Sequence, residues 1–544
     1  MTKGAKNEYK QIMEQTKRRR YPIGIQTFSR LIREGYVYVD KTDLVWQMAN
    51  EDNPFLFLAR PRRFGKSLLA STLHSFFSGE RELFRGLKAD SLEWDWQQYP
   101  VLHFDLSTAK HLAAEEVKKV LGIQLKLMEE EYGRDEEDTT PGMRLYGLVH
   151  RAHKQTSKQV VVIVDEYDAP LLDVLHEDEG LKAMRDVLQE FYQNLKALEP
   201  LIKCCFITGI TKFSQLSIFS TINNISIISM LPKYAALCGI TEQELTTTLA
   251  PDIALLAREY ECTPEEMHRR LKERYDGYMF SERSPEIYNP FSLFKAFSTQ
   301  KVTNYWFESG TPTFLIRQMQ KFNTDITSLN DLEVSASAFD KPTEAMTTAL
   351  PLLYQSGYLT IKGYDREGEI YTLGIPNQEV QTGYAEGLMP TYIGLDATDV
   401  QTGFALKFWR ALKKDDIEQA MQEMHSYLAS IPYVEGFKKK LEDAATAEGF
   451  YEYTLYLIFS MLNVYVRTQV KCAGGRIDMV VWMPDTIYVF ELKVDGSAQD
   501  ALDQIIKKGY AQPYTTDGRS VVTVGIRFDT KERNVSEWIY KQDS

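Results

Sequence analysis

Three residues that follow an apolar run, Gly65-Lys66-Ser67, and two acids that close another, Asp165-Glu166, are the first side chains here whose types and spacing suggest chemistry. The run Phe55–Leu58 leads into a basic turn, and the helix-forming LLASTLHSFF follows Ser67. A strand, a donor-rich turn and a helix N-terminus suit an anion, because backbone N–H groups and the helix dipole both point at it. In such a loop Lys66 reaches the β- and γ-phosphates of ATP and the Ser67 hydroxyl ligates Mg²⁺. Arg62, Arg63, Phe64 and Gly65 are the loop residues expected around the phosphates. The five residues Val160–Val164 read as a strand buried on both faces. Of the acids that end it, Asp165 suits the metal's water shell and Glu166 suits polarising an attacking water, with Asp168 next in line as base.

Plainer readings exist for each signal. A GK[ST] triplet occurs by chance, and Arg60 stands where G-x-x-x-x-G-K-[ST] has its first glycine. An apolar run ending in two acids can be an ordinary strand with solvated carboxylates. Their order, about a hundred residues apart, makes each signal support the other.

A second set of chemical residues lies near the C-terminus. Asp478 stands in GRIDMVVW, and Glu491 and Lys493 stand in TIYVFELK. Two positions apart on a strand, Glu491 and Lys493 face the same way, and Asp478 on the preceding strand is within reach of a shared cation. Two carboxylates and waters suit Mg²⁺, which takes hard oxygen ligands. Lys493 is then placed beside an attacking water or a phosphate. Glu452 or Glu448, four apart on one helix face, are candidates to complete the shell. The plainer reading makes Asp478 a strand-end acid and Glu491–Lys493 a cross-sheet ion pair, although such groups are costly to bury without a partner.

The elements that must hold these residues follow from periodicity. Helix is expected over Leu68–Phe77 and from about Ala113 to Tyr132, and strand over Val101–Ser107 and Leu201–Thr208. Strands alternating with helices imply a mainly parallel sheet. A whole strand between the phosphate loop and the Asp-Glu strand is the layout of the additional-strand class of P-loop proteins. That class places a polar γ-phosphate sensor where Thr208 stands; a β-branched residue simply ending a strand is the other reading. From about Ile240 the texture changes to helices and short turns, with aromatic-rich RYDGYMF (Arg274–Phe280) and YNPFSL (Tyr288–Leu293). LLYQSGYLTI (Leu352–Ile361) and YTLGIPN (Tyr371–Asn377) outline a helix end and a hairpin, winged-helix-like, suited to a packing lid more than to DNA because the segment is not basic. Near the C-terminus, helix is expected over Thr446–Leu462 and Ala498–Tyr510, and strands over Val464–Val470, Gly475–Trp482, Thr486–Lys493 and Ser520–Phe528.

YPIGIQTF (Tyr21–Phe28), YVDKT (Tyr38–Thr42), RPRRFGKSLL (Arg60–Leu69), DEYDAPL (Asp165–Leu171) and ITGITKFS (Ile207–Ser214) together resemble the prokaryotic AAA-ATPase-like family. The C-terminal α-β-β-β-α-β unit, with Asp on one strand and Glu-x-Lys on the next, resembles the PD-(D/E)XK nuclease core often fused to it. The resemblance implies a P-loop NTPase parallel sheet, a helical and winged-helix-like lid region and a C-terminal restriction-endonuclease-like α/β domain. It also implies ATP and Mg²⁺ as cofactors, and it makes Gln504 and Tyr510 the helix residues that follow the nuclease core. One departure is Gln469, where relatives commonly carry Glu.

Length and composition fit this division. The 544 residues allow about three or four domains: a polar lead-in over 1–20, the ATPase domain over 21–239, the lid over 240–436 and the nuclease-like domain over 437–544. No 18-residue apolar run suggests a membrane span, and the polar start lacks a signal peptide's apolar stretch; the expectation is a soluble cytoplasmic protein. Five scattered cysteines form no metal-spaced pair and read as small buried hydrophobes. A net charge of −13 argues against a surface coated with DNA affinity, though not against a local basic groove. The expected function is ATP hydrolysis coupled to metal-dependent cleavage of nucleic acid, DNA ahead of RNA, in defence or mobile-element control, with homo-oligomerisation left open. Its rival is a nucleotide-dependent switch or scaffold whose C-terminal domain binds nucleic acid or protein without cutting.

Overall fold

The computed structural model describes residues 19–543 apart from 111, 176, 213–224, 310–312, 323, 325–328, 330, 343–345, 385–398, 431–454, 457–464, 473, 484 and 533. Five N-terminal strands, β1 (Phe55–Ala59), β2 (Val101–Asp105), β3 (Val160–Asp165), β4 (Ile202–Gly209) and β5 (Ser226–Ile227), form one sheet in the order β2-β3-β4-β1-β5. Every pairing in it is parallel. Helices cover a parallel sheet on both faces, which is why β3 is apolar at each step before Asp165 and buried throughout. In space the strand that separates β1 from β3 is β4; β2, which intervenes in the chain, lies at the edge. The carboxyl ends of β1 and β3 therefore open on the same side of the sheet, where α/β proteins bind ligands.

The chain leaves β1 through residues 60–65 and enters the helix Lys66–Phe77 at Gly65. Gly65 has φ +95°, a conformation that side chains disfavour, so glycine is needed at this turn. The helix buries Leu69, Ala70, Leu73, Phe76 and Phe77 and stops at Ser78.

Beyond β5 come the short pair β6 (Ile240–Thr241) and β7 (Ile287–Tyr288), and helices Glu242–Thr248, Ala250–Glu259, Pro264–Tyr275 and Pro290–Thr299. Their apolar faces share one core with Tyr21 and Val37 from ahead of β1. The helix Leu350–Gln355 and an antiparallel hairpin then follow where LLYQSGYLTI and YTLGIPN predict them. With β8 (Leu332–Ser335), β9 (Thr360–Asp365) and β10 (Ile370–Gly374) make a three-stranded sheet ordered β8-β10-β9, and β8 is an addition to the predicted elements.

Backbone proximity divides the chain into two units, the first reaching Asn377 and the second starting at Gln378, with short stretches between Phe307 and Leu332 joining the second. The second unit contains a five-stranded sheet in chain order: β11 (Tyr465–Cys472), β12 (Gly475–Trp482), β13 (Thr486–Val494), β14 (Ser520–Asp529) and β15 (Asn534–Asp543). Only β13 and β14 run parallel, joined by the helix Ala498–Lys508. The edge strand β15 is absent from the predicted set. Helices Asp399–Leu412 and Ile417–Ser430 fall in this unit and not with the lid, against a boundary at 436/437. Their partners explain it: Tyr488 Oη donates to Leu412 O at 2.8 Å, and Asn534 Nδ2 donates to His425 O at 3.1 Å. The helix expected over 446–462 lies outside the described residues except for Leu455 and Tyr456, and so do Glu448 and Glu452. Among the described residues no helix is long and apolar enough to cross a membrane, and no disulfide joins the cysteines, of which Cys204, Cys205 and Cys238 are buried.

Candidate nucleotide and metal centres

At the carboxyl edge of the N-terminal sheet, Lys66 is buried, and its Nζ donates to the loop's own carbonyls, Arg60 O and Pro61 O, at 3.0 Å each. Burial lowers the ammonium's pKa, and the carboxylates of Glu166, Asp165 and Asp168 oppose that. Ser67 donates to Asp165, whose carboxyl is pushed up to about 6, chiefly by burial. An acid so poorly compensated by its own neighbours fits a cation beside it. Glu166 takes φ +49°, strained for a side-chain-bearing residue, at the turn out of β3. Burial alone would raise its carboxyl, but an ion pair with Lys110 Nζ at 2.7 Å, helped by Lys66 and Arg62, brings it below the usual range. Lys110, just past β2, carries no pattern in the sequence that would single it out.

The other candidates of this centre take more structural places. Asp168 is fully enclosed and accepts from Ile210 N, Thr211 N and Thr211 Oγ1 at 3.0, 2.7 and 2.6 Å, so it braces the end of β4 and is not an open base. Thr208 Oγ1 donates to Leu58 O at 2.8 Å and is buried, so its hydroxyl ties β4 to β1. Arg63 lies over the Phe291 ring at 3.8 Å and Phe64 is buried, so both side chains are engaged with protein. Beside Gly65 lies an apolar cavity of about 80 Å³ lined by Val37, Val39, Leu68, Leu237 and Ile240, with Lys41 among its lining residues. Lys41 is paired with Glu244 at 2.6 Å.

Arg60, at the position of the general motif's first glycine, is buried. Its guanidinium donates to Ser229 O at 2.6 Å, Tyr234 O at 3.1 Å and Ala59 O at 3.1 Å, and no carboxylate among the described residues pairs with it. Burial brings its pKa down to about 10. Three carbonyls, that of Tyr234 buried, thus depend on one side chain. Arg60→Gly, which restores the general motif, is expected to destabilise the first unit by on the order of 3 kcal/mol. Chemical denaturation checks this, and an unchanged midpoint would contradict it.

In the second unit Asp478 and Glu491 come together from β12 and β13. Asp478 Oδ2 accepts from Leu492 N at 2.8 Å, next to Glu491. Glu491 is 1% exposed, and its carboxyl is pushed up to about 7, first by burial and then by Asp478. Lys493 Nζ lies 3.3 Å from Glu491 Oε1, and Gln504 Nε2 donates to the same oxygen. Glu491 Oε2 is buried with no hydrogen-bond partner among the described residues. Two hard carboxylates, one with an orphaned buried oxygen, fit a divalent cation. No third His, Cys, Asp or Glu joins them among the described residues. Tyr510 instead packs in the core with Ile477, Val480 and Ile505.

Comparison with known proteins gives a match in each part of the chain. A family model described as a predicted AAA-ATPase matches residues 22–219. A model of the PD-(D/E)XK nuclease superfamily matches residues 446–538. The chain is also 34% identical over 532 residues to a protein of Azotobacter chroococcum mcd 1 described as an uncharacterized protein in the vnfD 5' region, covering 95% of this chain and 98% of that one.

Proposed function

Since the chain belongs to the AAA-ATPase-like family with a C-terminal PD-(D/E)XK nuclease superfamily domain, we propose that it binds and hydrolyses ATP and that its second unit cleaves nucleic acid with Mg²⁺. The observation that carries the reading is the meeting of Lys66, Ser67, Asp165 and Glu166 at the carboxyl edge of one parallel sheet. Lys66 takes the terminal phosphates, loop N–H groups take the remaining oxygens, and the apolar cavity beside Gly65 takes the base. Ser67 and Asp165 would hold the nucleotide's cation. Glu166, kept as a carboxylate by Lys110, orients the attacking water and accepts its proton.

In the second unit Asp478 and Glu491 would hold Mg²⁺, which when bound supplies Lewis acidity at the scissile phosphate. Lys493 orients the water or neutralises charge on the phosphate, and Gln504 fixes the Glu491 carboxylate. DNA is favoured over RNA as substrate, and the proposed setting is cytoplasmic defence or control of mobile elements.

Calorimetric titration of ATP into the parent and Lys66→Ala tests the nucleotide site. Loss of the charged donor should weaken binding roughly tenfold to a hundredfold. Equal affinity in a folded Lys66→Ala protein rules the site out.

A further inference from the structure

The two aromatic segments RYDGYMF and YNPFSL have no part in the chemistry above, yet the structure brings both against the phosphate loop. Each of residues 60–64 meets a group beyond residue 270. The Arg60 guanidinium lies over the Phe280 ring at 4.1 Å. Pro61 is approached by Gly357 so closely that an added Cβ would stand 2.7 Å from Pro61 Cβ, so only glycine fits there. The Arg62 carbonyl accepts from Trp306 Nε1 at 3.4 Å. The Arg63 guanidinium lies 3.8 Å from the centre of the Phe291 ring. Phe64 meets Tyr278 and Phe280 edge-on, with ring centres 4.8 and 5.4 Å away.

A phosphate loop built on glycine takes its shape at little steric cost. This one carries RPRRF ahead of Gly65, and Arg63 sits at φ +67°, a conformation that persists only where the surroundings over-determine it. The rings supply that constraint. They are themselves anchored: Met279 N donates to Thr360 Oγ1 at 2.8 Å and Asn377 Nδ2 donates to Asp276 O at 2.7 Å, which tie RYDGYMF to the β9–β10 hairpin and to the residues just after it.

We infer that Phe280 and Phe291 are positioning residues for nucleotide binding, holding Arg60 and Arg63 so that the loop N–H groups stay aimed at the phosphates. The inference rests on the nucleotide site proposed above. ATP affinity then depends on rings that face the loop's arginines and not the phosphates, and the lid segments that carry them set the loop's shape.

The test uses the full chain and titration with a non-hydrolysable ATP analogue plus Mg²⁺. Phe291 is half-buried, so Phe291→Leu keeps an apolar side chain and removes the π face. Its dissociation constant is expected to rise about fivefold to tenfold at a temperature where the nucleotide-free variant is fully folded. Arg63→Met should weaken binding to a similar degree, and Arg63→Met with Phe291→Leu should be no weaker than Arg63→Met alone, because both remove one contact. Phe291→Trp, which keeps a face for the guanidinium, should bind as the parent does. A merely structural role for Phe291 would give additive effects and no such rescue. The inference is overturned if Phe291→Leu or Arg63→Met binds as tightly as the parent, or if the two changes multiply. Should the parent itself fail to bind the analogue, the nucleotide site falls and the inference with it.

Discussion

Glu491→Ala should abolish cleavage of nucleic acid, a loss on the order of a thousandfold or more, and should weaken Mg²⁺ or Mn²⁺ binding at least tenfold. The carboxylate removed is buried beside Asp478 and holds both Lys493 and Gln504 in place. Lys493→Ala should lose cleavage too, by roughly a hundredfold, yet keep the cation, because both carboxylates remain. Taking away one positive charge beside them removes none of the ligands. ATP hydrolysis measured without nucleic acid should survive both changes, since Lys66 and Glu166 belong to the other unit. With a net charge of −13 the substrate must be held by a local groove, so cleavage should fall steeply with added salt. A purified parent that cuts no DNA or RNA with either metal, and takes up no metal in calorimetry, would falsify the nuclease assignment. Gln469→Glu would then be the change to try.

Glu166→Gln should slow ATP turnover by about a hundredfold to ten-thousandfold while ATP stays bound. The amide keeps the size of the side chain and can still meet Lys110 through its oxygen, but it cannot take the water's proton. Asp165→Asn should show a different signature, a higher Mg²⁺ requirement with ATP still recognised by Lys66. Single-turnover hydrolysis separates the two. Parental turnover in Glu166→Gln would remove Glu166 as the base, and Asp168, bound by three donors, would be a poor successor.

Much of this was legible where function is written in short stretches. Val160–Val164 had to be an interior strand because nothing polar interrupts it, and GRID followed by ELK put three chemical side chains on neighbouring strands. Spacing alone brought Glu491 and Lys493 to one face. What escaped depends on contacts between distant segments, to which periodicity is blind. Lys110 meets Glu166 across 56 positions in the chain. Arg60 looked like a missing glycine, whereas its carbonyl partners Ser229 and Tyr234 lie some 170 residues on. Thr208 stands next to the end of its strand, and only the hydrogen bond to Leu58 shows its hydroxyl engaged. The strand β15 was missed because NVSEWIYKQD mixes charge with aromatics, as an edge strand can when one side of it faces water.

Lys66 rests on the carbonyls of Arg60 and Pro61, and this makes the loop its own competitor for the ammonium. A phosphate that takes Lys66 takes it from partners already in place, so the contact is an exchange and not a pure gain. In population terms, the affinity measured for ATP is the intrinsic affinity scaled by the fraction of molecules whose lysine has left its carbonyls. Were that fraction one in a hundred, the apparent dissociation constant would be about a hundred times the intrinsic one. A substitution that loosens the resting contact, with Lys66 itself retained, can therefore tighten ATP binding without touching the nucleotide.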